Sequence, residues 1–163
     1  MIQSIPQFRD AELLSPASTV PHLGALAAGT VVLTLSGAIP VEHLTAGDRI
    51  ITRAGARPLR AVRCEIVASA RMIRISASAL GIDQPDEDIL LAPDQPVLIR
   101  DWRAKAMKGV SQAMMPASAL VDGEYIRSES VAGARVYTLE FDAPAVIYAG
   151  GLELATFEAH SGV

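Results

Sequence analysis

From Gly29 onward, short apolar runs are separated by turns carrying glycine, proline or aspartate. Thr30 to Leu35 alternates up to a Ser36-Gly37 turn, Arg49 to Thr52 follows Ala46-Gly47, and Pro58 to Val67 follows Ala54-Gly55. Residues of alternating polarity between close turn signals form half-buried strands, and this spacing predicts an all-β meander rather than βαβ units. Further strands are predicted at Met72 to Ser76, Ile89 to Ala92, Pro96 to Arg100, Val136 to Phe141 and Val146 to Ala149, with Pro93-Asp94 and Pro144 marking breaks. Leu120-Val121 and Tyr125-Ile126 flank Asp122-Gly123, a two-residue hairpin signal. The acidic stretch Gly81 to Asp88 predicts an exposed loop, and Trp102 to Met115 an irregular insertion or a short helix. No repeat of 20 to 50 residues and no low-complexity tract stands out. Ahead of the domain, residues 1–22 read as an arm with Pro6, Pro16 and Pro21 and a helix-compatible piece around Arg9 to Leu14.

Composition narrows the function. With 163 residues, one domain suffices, because a chain near this length buries roughly 70% of its unfolded surface. Val, Ile, Leu and Ala supply most of the apolar mass, which suits stacked small sheets. A net charge of -4 gives no basic footprint for nucleic acid. The lone Cys64 excludes an intramolecular disulfide and a cysteine-cluster metal site, and its alternating setting reads as a small buried hydrophobe. Leu23 to Val41 lacks charge over nearly the length of a membrane span, but glycines, Pro40 and the Ser36-Gly37 turn break it into strands. Arg9, Asp10 and Glu12 stand where a signal peptide would need a basic start and an apolar core. The expectation is a cytoplasmic protein that makes no membrane contact, with secretion by a signal-independent route left open.

Four stretches carry a family resemblance. Gly29-Thr30-Val31-Val32-Leu33-Thr34-Leu35-Ser36-Gly37 and its continuation Pro40-Val41-Glu42-His43-Leu44-Thr45-Ala46-Gly47-Asp48-Arg49-Ile50-Ile51-Thr52 resemble the opening of a Hedgehog/intein (Hint) domain. Ile89-Leu90-Leu91-Ala92-Pro93-Asp94-Gln95-Pro96-Val97-Leu98 and Ala117 to Gly123 are similar to the next two blocks of the bacterial Hint-like branch. Val136 to Leu152, followed by Ala155-Thr156-Phe157, resembles the closing block. The resemblance covers residues 23–160 and implies a horseshoe of curled antiparallel strands, with the arm 1–22 ahead of it.

Such domains cut their own backbone. The resemblance implies a cysteine or serine at the first position attacking the preceding carbonyl, one histidine protonating the departing amide and a second assisting proton transfer. Matched block by block, the nucleophile position falls on Ala25, the first histidine on Gln95 and the second on Pro144. A methyl group cannot attack, an amide has no useful pKa, and proline has neither donor nor titratable atom. No intact catalytic residue is therefore expected. Thr30, Asp94 and Asp142 remain as candidates to line a remnant cleft, with Thr30 read as scaffold rather than nucleophile. His22, His43 and His160 match no catalytic position, and His43 stands between Glu42 and Leu44, read as core-facing. No ligand spacing supports a metal, and no cofactor is implied. Only the short arm precedes Ala25, so no passenger domain is evident, and Ile2, Ile5 and Phe8 suggest that the arm packs across the domain. Two functions follow: an inactive Hint-like domain binding a protein or peptide, or a self-processing domain with a non-standard nucleophile.

Overall fold

The structure, a computed structural model, describes residues 25–158. The expectations for the arm 1–22, for its Arg9 to Leu14 piece and for His22 and His160 lie outside those residues.

Two neighbouring apolar runs fold into the same local unit. Strands β2 (Val31–Thr34) and β3 (Gly37–Pro40) form one hairpin; β4 (Arg49–Thr52) and β5 (Gly55–Pro58), eighteen residues further on, form the other. In each, a threonine ends the first strand. The Thr34 hydroxyl donates to the Gly37 carbonyl at 2.8 Å and accepts from the Ser36 N–H, while Thr52 does the same with Gly55, at 2.6 Å, and Ala54. Gly37 and Gly55 have φ of 110° and 100°, which a side chain would disfavour. Pro40 and Pro58 then end the second strands, and the next residues, Val41 and Leu59, drop into the core. This is an internal repeat too short for the 20-to-50-residue periods that mark solenoids.

The spine is one long hairpin. The stretches expected as separate strands, Pro58 to Val67 and Met72 to Ser76, lie for the most part in a single strand β6 (Ala61–Ile75), with Pro58 ending β5. It pairs antiparallel with β10 (Ile126–Phe141) from Ala61↔Glu140 to Ile75↔Ile126. Val136 to Phe141 is thus only the last part of a strand whose first half has small or charged residues that carry no apolar alternation. Val67 and Ala134 from one face of this ribbon share a cluster with Ala70 and Met72 from the opposite face. Side chains on a strand alternate between faces, so the ribbon must curl back on itself between them. Gly133, with φ of 61°, lies at that bend. Inside the curl lies Ala25, together with Ala92 and Val136.

Strand β1 (Leu26–Ala27) inserts between β10 and β7 (Ile89–Leu91), so β1, β7, β6 and β10 close into a ring, with β13 (Phe157–Glu158) added parallel to β10. The second sheet runs β3-β2-β4 and then β11 (Val146–Ala149), β12 (Leu152–Ala155), β8 (Pro96–Ile99) and β9 (Ala113–Pro116), with β5 pairing to β4. Phe141, Leu154, Ile147, Ile50, Ile99 and Met115 fill the main core between them. The fold is the mostly β arrangement of curled antiparallel strands expected from the turns and runs.

Several details differ. Trp102 to Met115 holds both a helix and a strand: α1 (Trp102–Lys108) is capped by Asp101, whose carboxylate accepts from the Arg103 N–H at 2.9 Å, and β9 follows it. Asp122-Gly123 is not a two-residue hairpin. The Asp122 carboxylate accepts from the N–H groups of Glu124, Tyr125 and Ile126, which widens the connection into a capped loop after a 3-10 turn at Ala117–Leu120. Those three hydrogen bonds hold the Asp122 carboxyl below its ordinary range, with the Arg103 guanidinium adding to the effect. Cys64 is exposed rather than buried, because the outer edge of β6 has no strand partner at that point among the described residues. Its cross-strand neighbour Tyr137 is buried instead, and that burial, followed by the nearby thiol, raises the phenol's pKa. Glu42 faces outward, not into the core.

Candidate functional site

Ala25 is 0% exposed, its methyl enclosed by the curled hairpin. Its carbonyl accepts from the Ala92 N–H at 3.0 Å, tying the opening block to the second block. Ala92 in turn accepts from the Gln95 N–H at 3.0 Å, closing the Pro93-Asp94 turn. The Gln95 side chain, 1% exposed, is wholly occupied on its donor side: Nε2 donates to the Pro96 carbonyl at 2.8 Å and to the Ala155 carbonyl at 2.9 Å. The third block clamps the same turn, with Ala117 N–H on the Gln95 carbonyl and Ser118 N–H on the Pro93 carbonyl.

From Ala155 the seam continues. Thr156 donates its N–H to the Ala145 carbonyl at 2.8 Å, and its hydroxyl accepts from the Ala145 N–H at 3.1 Å. Pro144, the residue before Ala145, is exposed. Hydrogen bonds and the peptide link from Ala155 to Thr156 therefore connect Ala25 through Ala92 and Gln95 to Ala145, the neighbour of Pro144, although these residues are spread over more than a hundred positions of the chain. Positions 25, 95 and 144 themselves hold a methyl group, an amide that donates to two carbonyls and a proline ring, none of which exchanges a proton near neutral pH. Even a thiol placed at residue 25 would be surrounded by Val67, Ala70, Met72 and Val136, and apolar surroundings disfavour a thiolate.

The other candidates separate. Thr30, 8% exposed, lines a cleft of about 290 Å³ between β1 and β7. Asp94 and Asp142 do not line it. Asp94 is half-buried beside Gln95, and Asp142 pairs with Arg60 at 2.6 Å on the exposed surface. His43 is exposed on a 3-10 turn. Among the described residues no three His, Cys, Asp or Glu side chains stand together as a metal site, and no helix is long and apolar enough to cross a membrane.

Glu42 is the structural residue the apolar pattern misplaces. Its Oε1 accepts from the Gly29 N–H at 2.7 Å, locking the corner where the chain leaves β1 for β2. That hydrogen bond is the main reason the Glu42 carboxyl is held below its ordinary range.

A family model described as Hint domain matches residues 24–160. Among solved structures, a bacterial intein-like domain from Clostridium thermocellum superposes with a TM-score of 0.57 at 16% identity, covering 84% of this chain and 100% of that one. A variant of the gp41-1 intein gives 0.54 at 16% identity, over 83% of this chain and 99% of its own. A variant of the MchDnaB-1 intein gives 0.52 at 20% identity, over 82% and 99%. At such identities the likeness is one of fold. No curated protein matches the chain.

Proposed function

Since this chain belongs to the Hint domain family, we propose that it is a member that no longer cuts its own backbone and serves instead as a module binding a protein or peptide segment. The observation that carries this reading is the Ala25 methyl sealed inside the curled hairpin, at the position where the family's chemistry needs a nucleophile. Losing one positioned acid or base costs roughly 10² to 10⁴ in rate, and losing the nucleophile removes the covalent route altogether. Gln95 supports the same reading. Its amide serves as a brace between two carbonyls, a structural role that replaces proton transfer with two hydrogen bonds. What remains is a curled scaffold with strand edges that are open among the described residues, the kind of surface to which an extended segment adds as a further strand.

The test is the intact mass of the purified full chain over several days, with and without a thiol and hydroxylamine, which cleave any ester or thioester that forms. A single unchanged mass is expected under all conditions. Release of the segment preceding residue 25, or a hydroxylamine-dependent product ending there, would overturn the inactive reading and point to a non-standard nucleophile.

A further inference from the structure

We propose that two copies of this chain pair antiparallel along the outer edge of β6, with the two-fold axis passing between their Cys64 residues. The proposal goes beyond the reading of a binding module and holds whether or not the chain cuts its backbone. Strand β7 covers β6 only at Ile73 to Ile75, so on that side no strand of the described residues lies beside Ala61 to Met72. The Arg135 carbonyl accepts from the Ala28 N–H at 3.0 Å and therefore points away from β6. Directly opposed residues of an antiparallel pair turn their N–H and C=O groups either toward each other or both outward. Ile66, opposite Arg135, thus points its groups to the open side, and Cys64 and Val62 follow at the strand period of two.

The sequence along this edge is self-complementary. Paired about Cys64, Val62 meets Ile66 of the second copy and Arg63 meets Glu65 of the second copy, each contact occurring twice. Val62, Cys64 and Ile66 share one face of the strand, Arg63 and the half-buried Glu65 the other. The apolar pairs exchange both backbone hydrogen bonds, whereas the charged pairs fall at non-hydrogen-bonded positions, where side chains stand closer. Opposite charges directly across a sheet attract, and like charges there destabilise. Ile66, 69% exposed in the single chain, is covered by Val62 of the second copy. The same residues set the register. Centring the pair on Val62 places Arg63 opposite Ala61, centring it on Ile66 places Glu65 opposite Val67, and either shift loses both charge pairs.

Native edges are commonly guarded by charge, which keeps other strands away. This edge carries one charge of each sign, so in the register about Cys64 a copy is attracted. Arg63 already pairs with Glu140 of its own chain, and the five donors of a guanidinium leave room for a second carboxylate. The net charge of -4 on each copy opposes association only weakly at about 0.15 M salt, where screening acts over about 8 Å. The contact is small, below roughly 1,200 Å² in all, so the dimer is reversible, with a dissociation constant of roughly 10 to 500 μM.

Sedimentation of the reduced full chain from micromolar to millimolar concentration is expected to show monomer passing to dimer. Arg63→Glu and Glu65→Arg, each alone, set like charges opposite each other and should weaken the dimer roughly fivefold or more. An equal mixture of the two chains pairs every charge with its opposite and should recover it. The opposed Cys64 Cα atoms would stand about 5.5 Å apart, within disulfide range. Diamide, itself reduced to the hydrazine, takes one hydrogen from each thiol and joins the two sulfurs; in the mixture the mixed pair, distinguishable by mass, should exceed the statistical half. Ile66→Lys, at an exposed position, should abolish the dimer and leave the thermal midpoint of the monomer unchanged, so the result does not depend on the charge variants folding. A chain still monomeric at millimolar concentration, which would leave the edge to residues 1–24 or to another protein, would overturn the proposal. So would cross-links in the statistical proportion between folded variants, or a dimer that survives Ile66→Lys. Self-cleavage is read as a change in the mass of the reduced chain, so a failure here is separable from a failure of the inactive reading.

Discussion

A Gly151→Val chain should lose about 3 kcal/mol of stability, visible as a fall of roughly 6 to 12 °C in the thermal midpoint. Gly150 and Gly151 form the two-residue turn between β11 and β12, with φ of 59° and 84°. Both values lie in the left-handed region that a type I′ turn requires, and a β-branched residue tolerates it worst. Conformation is only half of the cost. A Cβ on Gly151 would stand 2.5 Å from the Asp83 carbonyl oxygen and 3.0 Å from the Asp86 nitrogen, both backbone atoms of the acidic loop. That loop is bound to the same turn, the Asp86 N–H donating to the Gly150 carbonyl at 3.1 Å. It cannot retreat without breaking this bond and reshaping the mouth of the cleft. Gly109→Ala is the control: its φ is 72°, but nothing lies within 4 Å of the added carbon, so only about 1 kcal/mol of conformational cost is expected. Equal losses in the two chains, measured by thermal or urea unfolding, would show that the close packing of loop and turn is wrong.

Gln95→Leu is expected to cost about 2 to 4 kcal/mol, although leucine matches the volume and is more apolar. The substitution leaves the carbonyls of Pro96 and Ala155 without the donor that serves both, in a place where Gln95 is 1% exposed. A buried acceptor stripped of its partner costs about 1 to 3 kcal/mol, and here two are stripped at once. The loss should be largest for unfolding of the closing segment, since the bond to Ala155 joins residues sixty positions apart. Hydrogen exchange would show this as faster opening of β12. A stability change below about 0.5 kcal/mol would mean that Gln95 is a passive filler and not a brace.

How far the sequence reveals this molecule depends on the range of the interaction involved. Turns and short strands are written locally: the Thr-x-x-Gly units at Thr34 and Thr52, the Gly47 turn and the strands at β4, β7, β8 and β11 can be read from neighbours in the chain. Even β12 has a local signal, since Gly150-Gly151 is a hairpin dipeptide standing after a recognised strand. Long-range events leave no such mark. The continuity of β6 and β10 through Ala68-Ser69-Ala70 and Arg127 to Ala134 comes from mutual pairing, not from apolar alternation. The exposure of Cys64 follows from which side of β6 lacks a neighbour, and nothing in Val62 to Ile66 says which. Positions 25, 95 and 144 can be picked out by resemblance, but their surroundings are not legible: the enclosure of Ala25 and the two carbonyls that hold Gln95. The cleft beside β7 was equally hidden, because it arises where two strands distant in sequence diverge.

Position 25 can be interrogated directly by a thiol. In an Ala25→Cys/Cys64→Ser chain, the pH dependence of alkylation by a small neutral reagent reports the pKa of the single cysteine. Enclosure by Val67, Ala70, Met72 and Val136, with no histidine at residues 95 or 144, predicts slow labelling and a midpoint above the ordinary thiol value of about 8.5. Fast labelling with a midpoint well below that value would mean that the scaffold still activates a nucleophile there, and the account of a disarmed site would be wrong.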